Sequence, residues 1–192
     1  YNPTTSSRRK MSVLKSDEIT KKTPEKSLLE KIKKHSGRDR FGHISIRHRG
    51  GGAKRKYRII SSLQDKFGEV AKVVGIEYDP NRSANIALIK YSDNQKAYIV
   101  APKDLLLDQE IKADNKTSIK VGNRMKITNI PTGISVYDVE MTPGRGGQIA
   151  RSAGSFVVVM AKAEGTGKRS KYVQVKMPSG EIRLIHGECF AS

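Results

Sequence analysis

From residue 43 onward the chain runs as short β-branched segments punctuated by turn signals, and this pattern leaves little room for a helical architecture. Val and Ile together number 31 against 9 Leu, and Trp is absent. β-Branched side chains lose rotamer freedom in a helix and suit a pleated surface. The spacing predicts strands over His43 to Arg47, Lys56 to Ser61, Val70 to Tyr78, Ala84 to Tyr91 and Ala97 to Ala101. Asp65-Lys66-Phe67-Gly68, Asp79 to Ser83 and Ser92-Asp93-Asn94 separate them, each rich in turn formers. A second group covers Arg124 to Ile127, Ser135 to Met141, Ser155 to Ala163, Lys171 to Met177 and Glu181 to His186, with breaks at Gly144 to Gly147, Glu164 to Gly167 and Pro178-Ser179-Gly180. Many short strands at this spacing predict a barrel or sandwich. Two groups flanking the less apolar stretch Pro102 to Asn123 predict two small β-barrels in tandem, without an internal repeat.

Charge narrows the partner. The 192 residues carry 37 Lys+Arg and 19 Asp+Glu, a net charge of +18. Residues 1–60 hold 18 basic and 5 acidic residues, a net +13; the remainder holds 19 and 14, a net +5. Residues 1–40 therefore read as a basic extended arm with too little hydrophobic surface to offset its ordering entropy. It is expected to be mobile alone and to fold onto RNA. Leu28-Leu29 and Ile32, after Thr23-Pro24-Glu25, predict one short helix within it. The longest apolar run, Phe156 to Ala161, is too short for a membrane-spanning helix, and no secretory signal is read in the first thirty residues. One cysteine, Cys189, excludes an internal disulfide framework or a zinc site built on several thiolates, and the reducing interior of a cell is the expected compartment. A strongly basic chain with no membrane signature points to nucleic acid.

Three loops concentrate the chemistry such a partner needs. Arg47-His48-Arg49-Gly50-Gly51-Gly52-Ala53-Lys54-Arg55-Lys56-Tyr57-Arg58 puts three glycines between basic residues. Without Cβ atoms the backbone N–H groups can approach phosphate closely, the flanking cations neutralise it, and Tyr57 offers a stacking face. A plain linker would be Gly/Ser-rich with few bases, so RNA contact is the preferred reading. Asp79-Pro80-Asn81-Arg82-Ser83-Ala84-Asn85 is a tight turn presenting Arg82, with Asn81, Ser83 and Asn85 beside it. Its plainer reading is a hairpin turn whose arginine pairs with Asp79 or Glu77. Pro143-Gly144-Arg145-Gly146-Gly147-Gln148-Ile149-Ala150-Arg151-Ser152-Ala153-Gly154 sets Arg145 and Arg151 among glycines without one acidic residue, which favours phosphate contact. Arg8-Arg9 adds a basic pair near the start.

Catalytic alternatives fare poorly. Gly165-Thr166-Gly167-Lys168 looks like a Walker-loop tail, but Lys162 occupies the upstream glycine position and Arg169 follows the lysine. Gly144-Arg145-Gly146 lacks the third glycine of a dinucleotide fingerprint, since Ile149 stands there. His186 and Cys189 lack an orienting third group, and His35, His43 and His48 sit among arginines that discourage a metal cation. The expectation is a protein that is no enzyme and takes no cofactor, metal, membrane or small-molecule substrate.

Taken in order, these blocks resemble the ribosomal protein L2 family of the large subunit, in its bacterial form. The resemblance runs through Asn2-Pro3-Thr4 with Arg8-Arg9, Pro24 to Leu29, Arg47 to Gly52, Tyr57 to Ile60, Glu77 to Leu88, Tyr98 to Lys103, Asn129-Ile130-Pro131 and Pro143 to Gly154. It implies an all-β chain with an OB-fold barrel followed by an SH3-like barrel behind the basic arm. The divisions expected are 1–40, 41–118 and 119–192. It further implies direct binding of large-subunit rRNA, with roles in subunit assembly, subunit association and support of the peptidyl-transferase region. Other ribosomal proteins and the small subunit are implied partners, in a cytoplasmic or organellar ribosome. Arg82 and Arg151 look like the family's key RNA-binding arginines. The family continues beyond the second barrel in a Gly- and His-containing basic extension, whereas this chain stops at Phe190-Ala191-Ser192, so that extension's histidine role is not carried to His186.

Overall fold

The computed structural model describes residues 2–13, 17–162 and 171–192. Its strands are β1 (Leu29–Lys31), β2 (Lys56–Arg58), β3 (Val70–Glu77), β4 (Ile86–Tyr91), β5 (Lys96–Val100) and β6 (Glu110–Lys112) in a first unit. The second unit holds β7 (Met125–Lys126), β8 (Ser135–Val136), β9 (Val157–Lys162), β10 (Tyr172–Lys176), β11 (Ile182–His186) and β12 (Phe190–Ala191). The chain is all-β, an OB-type unit followed by an SH3-like one. The Glu164 to Gly167 break and the Walker-like tail lie outside the described residues.

The first unit is an antiparallel sheet in the order β5-β4-β3-β6, beside the separate pair β1-β2. β3 alternates as its sequence demands: Ala71, Val73 and Glu77 point inward while Val70, Lys72 and Val74 face solvent. A register shift between Val73 and Gly75 bends it. β4, Ile-Ala-Leu-Ile-Lys-Tyr, is buried on both faces, as a near-continuous apolar run requires. Ala87, Ile89 and Tyr91 join the main core with Ala71, Val73, Ile99, Leu105 and Ile111. Ile86 and Leu88 pack on the other side with Tyr98, where Leu28 and Ile60 cover them.

That cover corrects the reading of the arm. No described residue before position 41 is fully buried, yet residues 20–31 are docked. The backbone N–H groups of Thr20 and Lys21 both donate to the Ile76 carbonyl at 3.1 Å. The Glu25 N–H donates to the Tyr98 hydroxyl at 2.8 Å, which in turn donates to Glu77 Oε2 at 2.6 Å. The predicted helix is instead a 3₁₀ turn, Lys26–Leu28, running into β1, which pairs with β2 in the register Leu29↔Arg58. Leu28 has an apolar sheet face to cover, and that tertiary contact outweighs a weak local helical preference. The strand expected over His43 to Arg47 is also absent. Ile44 and Ile46 alternate but remain exposed, because only one isolated bridge, Arg38↔Ile44, forms there and no strand pairs with the segment.

The second unit sets β11-β10-β9-β8 in one antiparallel sheet, with β12 returning to pair with β7. Val157 and Val159 of β9, Val173 and Val175 of β10, and Ile185 of β11 supply the inward side chains. Ser135 to Met141 is strand only over its first two residues. β6 and β12 were not anticipated by the spacing. The units are in direct contact: Phe67 and Phe190 meet edge to face at 5.1 Å, and Ala113 bridges Arg124.

Candidate nucleic-acid interface

The Gly-rich basic loop stands in solvent from Arg47 through Tyr57. His48, Gly50, Gly51 and Gly52 all have positive φ, and no atom lies within 4 Å of a Cβ built on Gly51 or Gly52. The backbone of these two glycines is therefore open to a close ligand. Arg47, Arg49 and Lys54 have no acidic partner among the described residues. The end of the loop is tied down: Arg55 donates to the Pro80 carbonyl at 2.7 Å, and the Asn81 side-chain amide donates to the Lys56 carbonyl at 2.7 Å. These two bonds bring the Gly-rich loop to the Asp79–Asn85 turn.

That turn is built on Asp79, which is fully buried. Its Oδ1 accepts the Asn81 N–H at 2.9 Å and its Oδ2 accepts Arg82 Nε at 2.6 Å. The plainer reading of the turn, an arginine paired with Asp79, is thus realised. The pairing uses only the Nε edge of Arg82, whose side chain keeps 15% of its exposure and whose two η nitrogens have no partner among the described residues. A carboxylate on one edge holds the guanidinium plane and leaves the other edge for a phosphate. Asn85 reaches Glu18 at 3.4 Å.

The third loop repeats the arrangement. Arg151 Nε lies 2.9 Å from Asp138 Oδ1 at ion-pair distance, though the angle is wrong for a hydrogen bond, and its side chain is 36% exposed. Arg145 is exposed. The Gly146 N–H donates inward to Glu140 Oε1 at 2.9 Å. Gly147 is buried, and a Cβ there would sit 2.2 Å from Asp138 Oδ1, so this glycine lets the loop pass the carboxylate. The two arginine loops are joined directly: the Ala153 N–H donates to Ser83 Oγ at 3.1 Å. Arg82 and Arg151, 69 positions apart in the chain, therefore belong to one composite surface spanning both units. Arg8 and Arg9 sit in an exposed helical turn, Ser6–Arg9, capped by Thr5, with no hydrogen bond or ion pair to either unit among the described residues.

Beneath this surface lies a buried polar network that the sequence reading missed. Arg124 is fully buried; its Nη1 donates to the Asp138 carbonyl at 2.8 Å, to Asp138 Oδ2 at 3.2 Å and to Ser192 Oγ at 3.1 Å. Burial pulls the guanidinium below its ordinary pKa, and the charges of Asp138 and Glu140 oppose that. Glu140, also fully buried, accepts from Gln64 Nε2 at 2.7 Å across the unit boundary. Local pattern carried no signal for it: the strand ends at Val136, Asp138 has a positive φ, and Val139 between the two carboxylates is itself a core residue.

Among the described residues no group of three or more His, Cys, Asp or Glu side chains could hold a metal ion, and no helix is long and apolar enough to cross a membrane. The His186–Cys189 pair forms no nucleophile: Cys189 is fully buried and its thiol is pushed up to about 11, chiefly by burial and then by Glu140 and Glu188. A thiol-specific chromogenic reagent should label this cysteine slowly at neutral pH in native protein and promptly in denaturant; prompt native labelling would contradict the burial.

Two family models match the chain. The one described as Ribosomal Proteins L2, RNA binding N-terminal domain, covers residues 25–113. The one described as Ribosomal Proteins L2, C-terminal domain, covers residues 120–192. The first spans the Gly-rich loop and the Arg82 turn, and the second spans the Arg151 loop.

Proposed function

The chain belongs to the ribosomal protein L2 family of the large subunit, and from that premise we propose that it is a structural constituent binding large-subunit rRNA directly through the composite arginine surface. The observation that carries the reading is the Ser83–Ala153 hydrogen bond, which fuses the Arg82 and Arg151 loops into one face. In this reading Arg82 and Arg151 grip phosphate with their free η edges. Asn81, Ser83 and Asn85 on one loop and Arg145 and Gly146 on the other border them. Arg47, His48, Arg49, Gly50, Gly51, Gly52, Lys54 and Arg55 thread along the backbone, with Tyr57 available to stack a base. Gly147 shapes its loop, and Arg8 and Arg9 add non-specific charge.

The proposed organisation is a basic segment over 1–40, whose residues 20–31 dock on the OB-type unit and supply its strand β1, the remainder of that unit over 41–118 and the SH3-like unit over 119–192. The proposed roles are subunit assembly, association with the small subunit and support of the peptidyl-transferase region, alongside other ribosomal proteins in a bacterial-type ribosome of the cytoplasm or an organelle. Catalysis forms no part of the reading.

Phosphate neutralisation releases counterions, so the binding constant should fall steeply with salt, with log K dropping by roughly 0.7–0.9 per decade of salt for each phosphate contacted. Filter binding of the full chain to large-subunit rRNA across a salt series measures this. A nearly flat salt dependence would contradict the phosphate contacts, and loss of the chain from salt-washed large subunits to well below one copy each would point to a transient factor instead.

A further inference from the structure

Between the two units runs an open groove of about 640 Å³. None of the RNA-contact residues proposed above lines it, although their chain neighbours Ala84, Ser152 and Ala153 do. Its rim exposes large apolar side chains: Phe156 is 55% exposed, Ile119 60% and Val121 45%. A soluble surface seldom leaves such a patch open without a use for it. The charged side chains lining the groove are Lys103 and Lys120; both are exposed, and neither has an acidic partner among the described residues. An apolar trough with lysines and no carboxylate side chain suits a ligand that is anionic yet presents a flat apolar face. A nucleotide has both properties, and the groove is continuous with the joined arginine loops through Ala84 and Ser152.

We infer that this groove receives an unpaired nucleotide of the bound RNA, with its base stacked on Phe156 and its flanking phosphates neutralised by Lys103 and Lys120. The inference rests on the rRNA-binding reading and adds a subsite to it. Base stacking on an aromatic side chain tolerates any base, while the lysines act on the backbone.

The absence of Trp supplies the test, because Phe156→Trp places a single indole in the groove. With the full chain and protein-free large-subunit rRNA, binding should quench that indole. A control indole from Ile182→Trp, on β11 and outside the groove lining, should be unaffected. Phe156→Ala should weaken rRNA binding about tenfold with an unchanged salt slope. Lys103→Ala and Lys120→Ala should each make the slope shallower by about one. Phe156 is more than half exposed, so its substitution spares the core, and an unchanged melting curve verifies this. Undiminished affinity of Phe156→Ala with an unquenched indole, while the wild type still binds rRNA, overturns the nucleotide subsite alone. An indole that responds only when other large-subunit proteins are added makes the groove a protein-docking site and likewise overturns it. A wild type that does not bind rRNA overturns the functional reading itself.

Discussion

Glu140→Ala should lower the unfolding free energy by about 3–5 kcal/mol, the range for removing one partner of a buried charged pair. The side chain is fully buried, and its two oxygens satisfy three donors: Gln64 Nε2, the Gly146 N–H and the Phe190 N–H. Removing it strands those donors and withdraws the carboxylate 3.9 Å from Arg124 Nη2, which has no hydrogen bond. Arg124 would keep Asp138, so the guanidinium would be undercompensated rather than abandoned. A domain of this kind is stable by only about 5–15 kcal/mol, so the loss is a large share of the total. Glu140→Gln should fall between, because the amide presents its NH₂ to a backbone donor that previously met an oxygen. Gln64→Ala should cost about 1 kcal/mol, the usual net worth of one hydrogen bond. Urea unfolding midpoints measure all three. An alanine variant as stable as wild type at position 140 would show that the network is not what holds the units together.

On RNA binding, Arg82→Ala and Arg151→Ala should each weaken affinity for large-subunit rRNA by roughly 10- to 100-fold, from losing charge-assisted hydrogen bonds worth about 1.5–3 kcal/mol. The two variants should differ in what else they disturb. Arg82 is the cationic partner of Asp79, a fully buried carboxylate that would keep only the Asn81 N–H. Its alanine variant should therefore lose stability as well as affinity. Asp138 retains Arg124 when Arg151 is removed, so Arg151→Ala should melt close to wild type and isolate the binding effect. Arg82→Lys keeps the charge but forfeits the Nε geometry and the fork, so it should recover the salt slope without recovering the full affinity. Wild-type affinity in both alanine variants at physiological salt would remove these arginines from the interface.

The elements that could be read from sequence are those whose own residues carry a complete instruction. β3 alternates cleanly, β4 is continuously apolar and the Ser92-Asp93-Asn94 turn joins β4 to β5, so these strands lie close to where the spacing put them. β6 escaped because Ile111 is its one buried residue, flanked by Glu110 and Lys112. β12 escaped because two residues at the chain end carry no periodicity, though pairing with β7 buries both. The opposite error, a strand over His43 to Arg47, came from alternation without a partner to pair with. The glycine–arginine loops stood out because their composition suits neither a core nor a plain linker.

Composition and local pattern were enough for the β class, the uneven charge and the location of three basic loops, because each depends on residues adjacent in the chain. Which arginine is held, and by what, depends on side chains far apart in sequence. Ser83 meets Ala153 across 70 positions and Gln64 meets Glu140 across 76. No local preference encodes such pairings. Only closing the fold desolvates Arg124, Asp138 and Glu140 together, and desolvation makes their charges seek one another and set the loops above them.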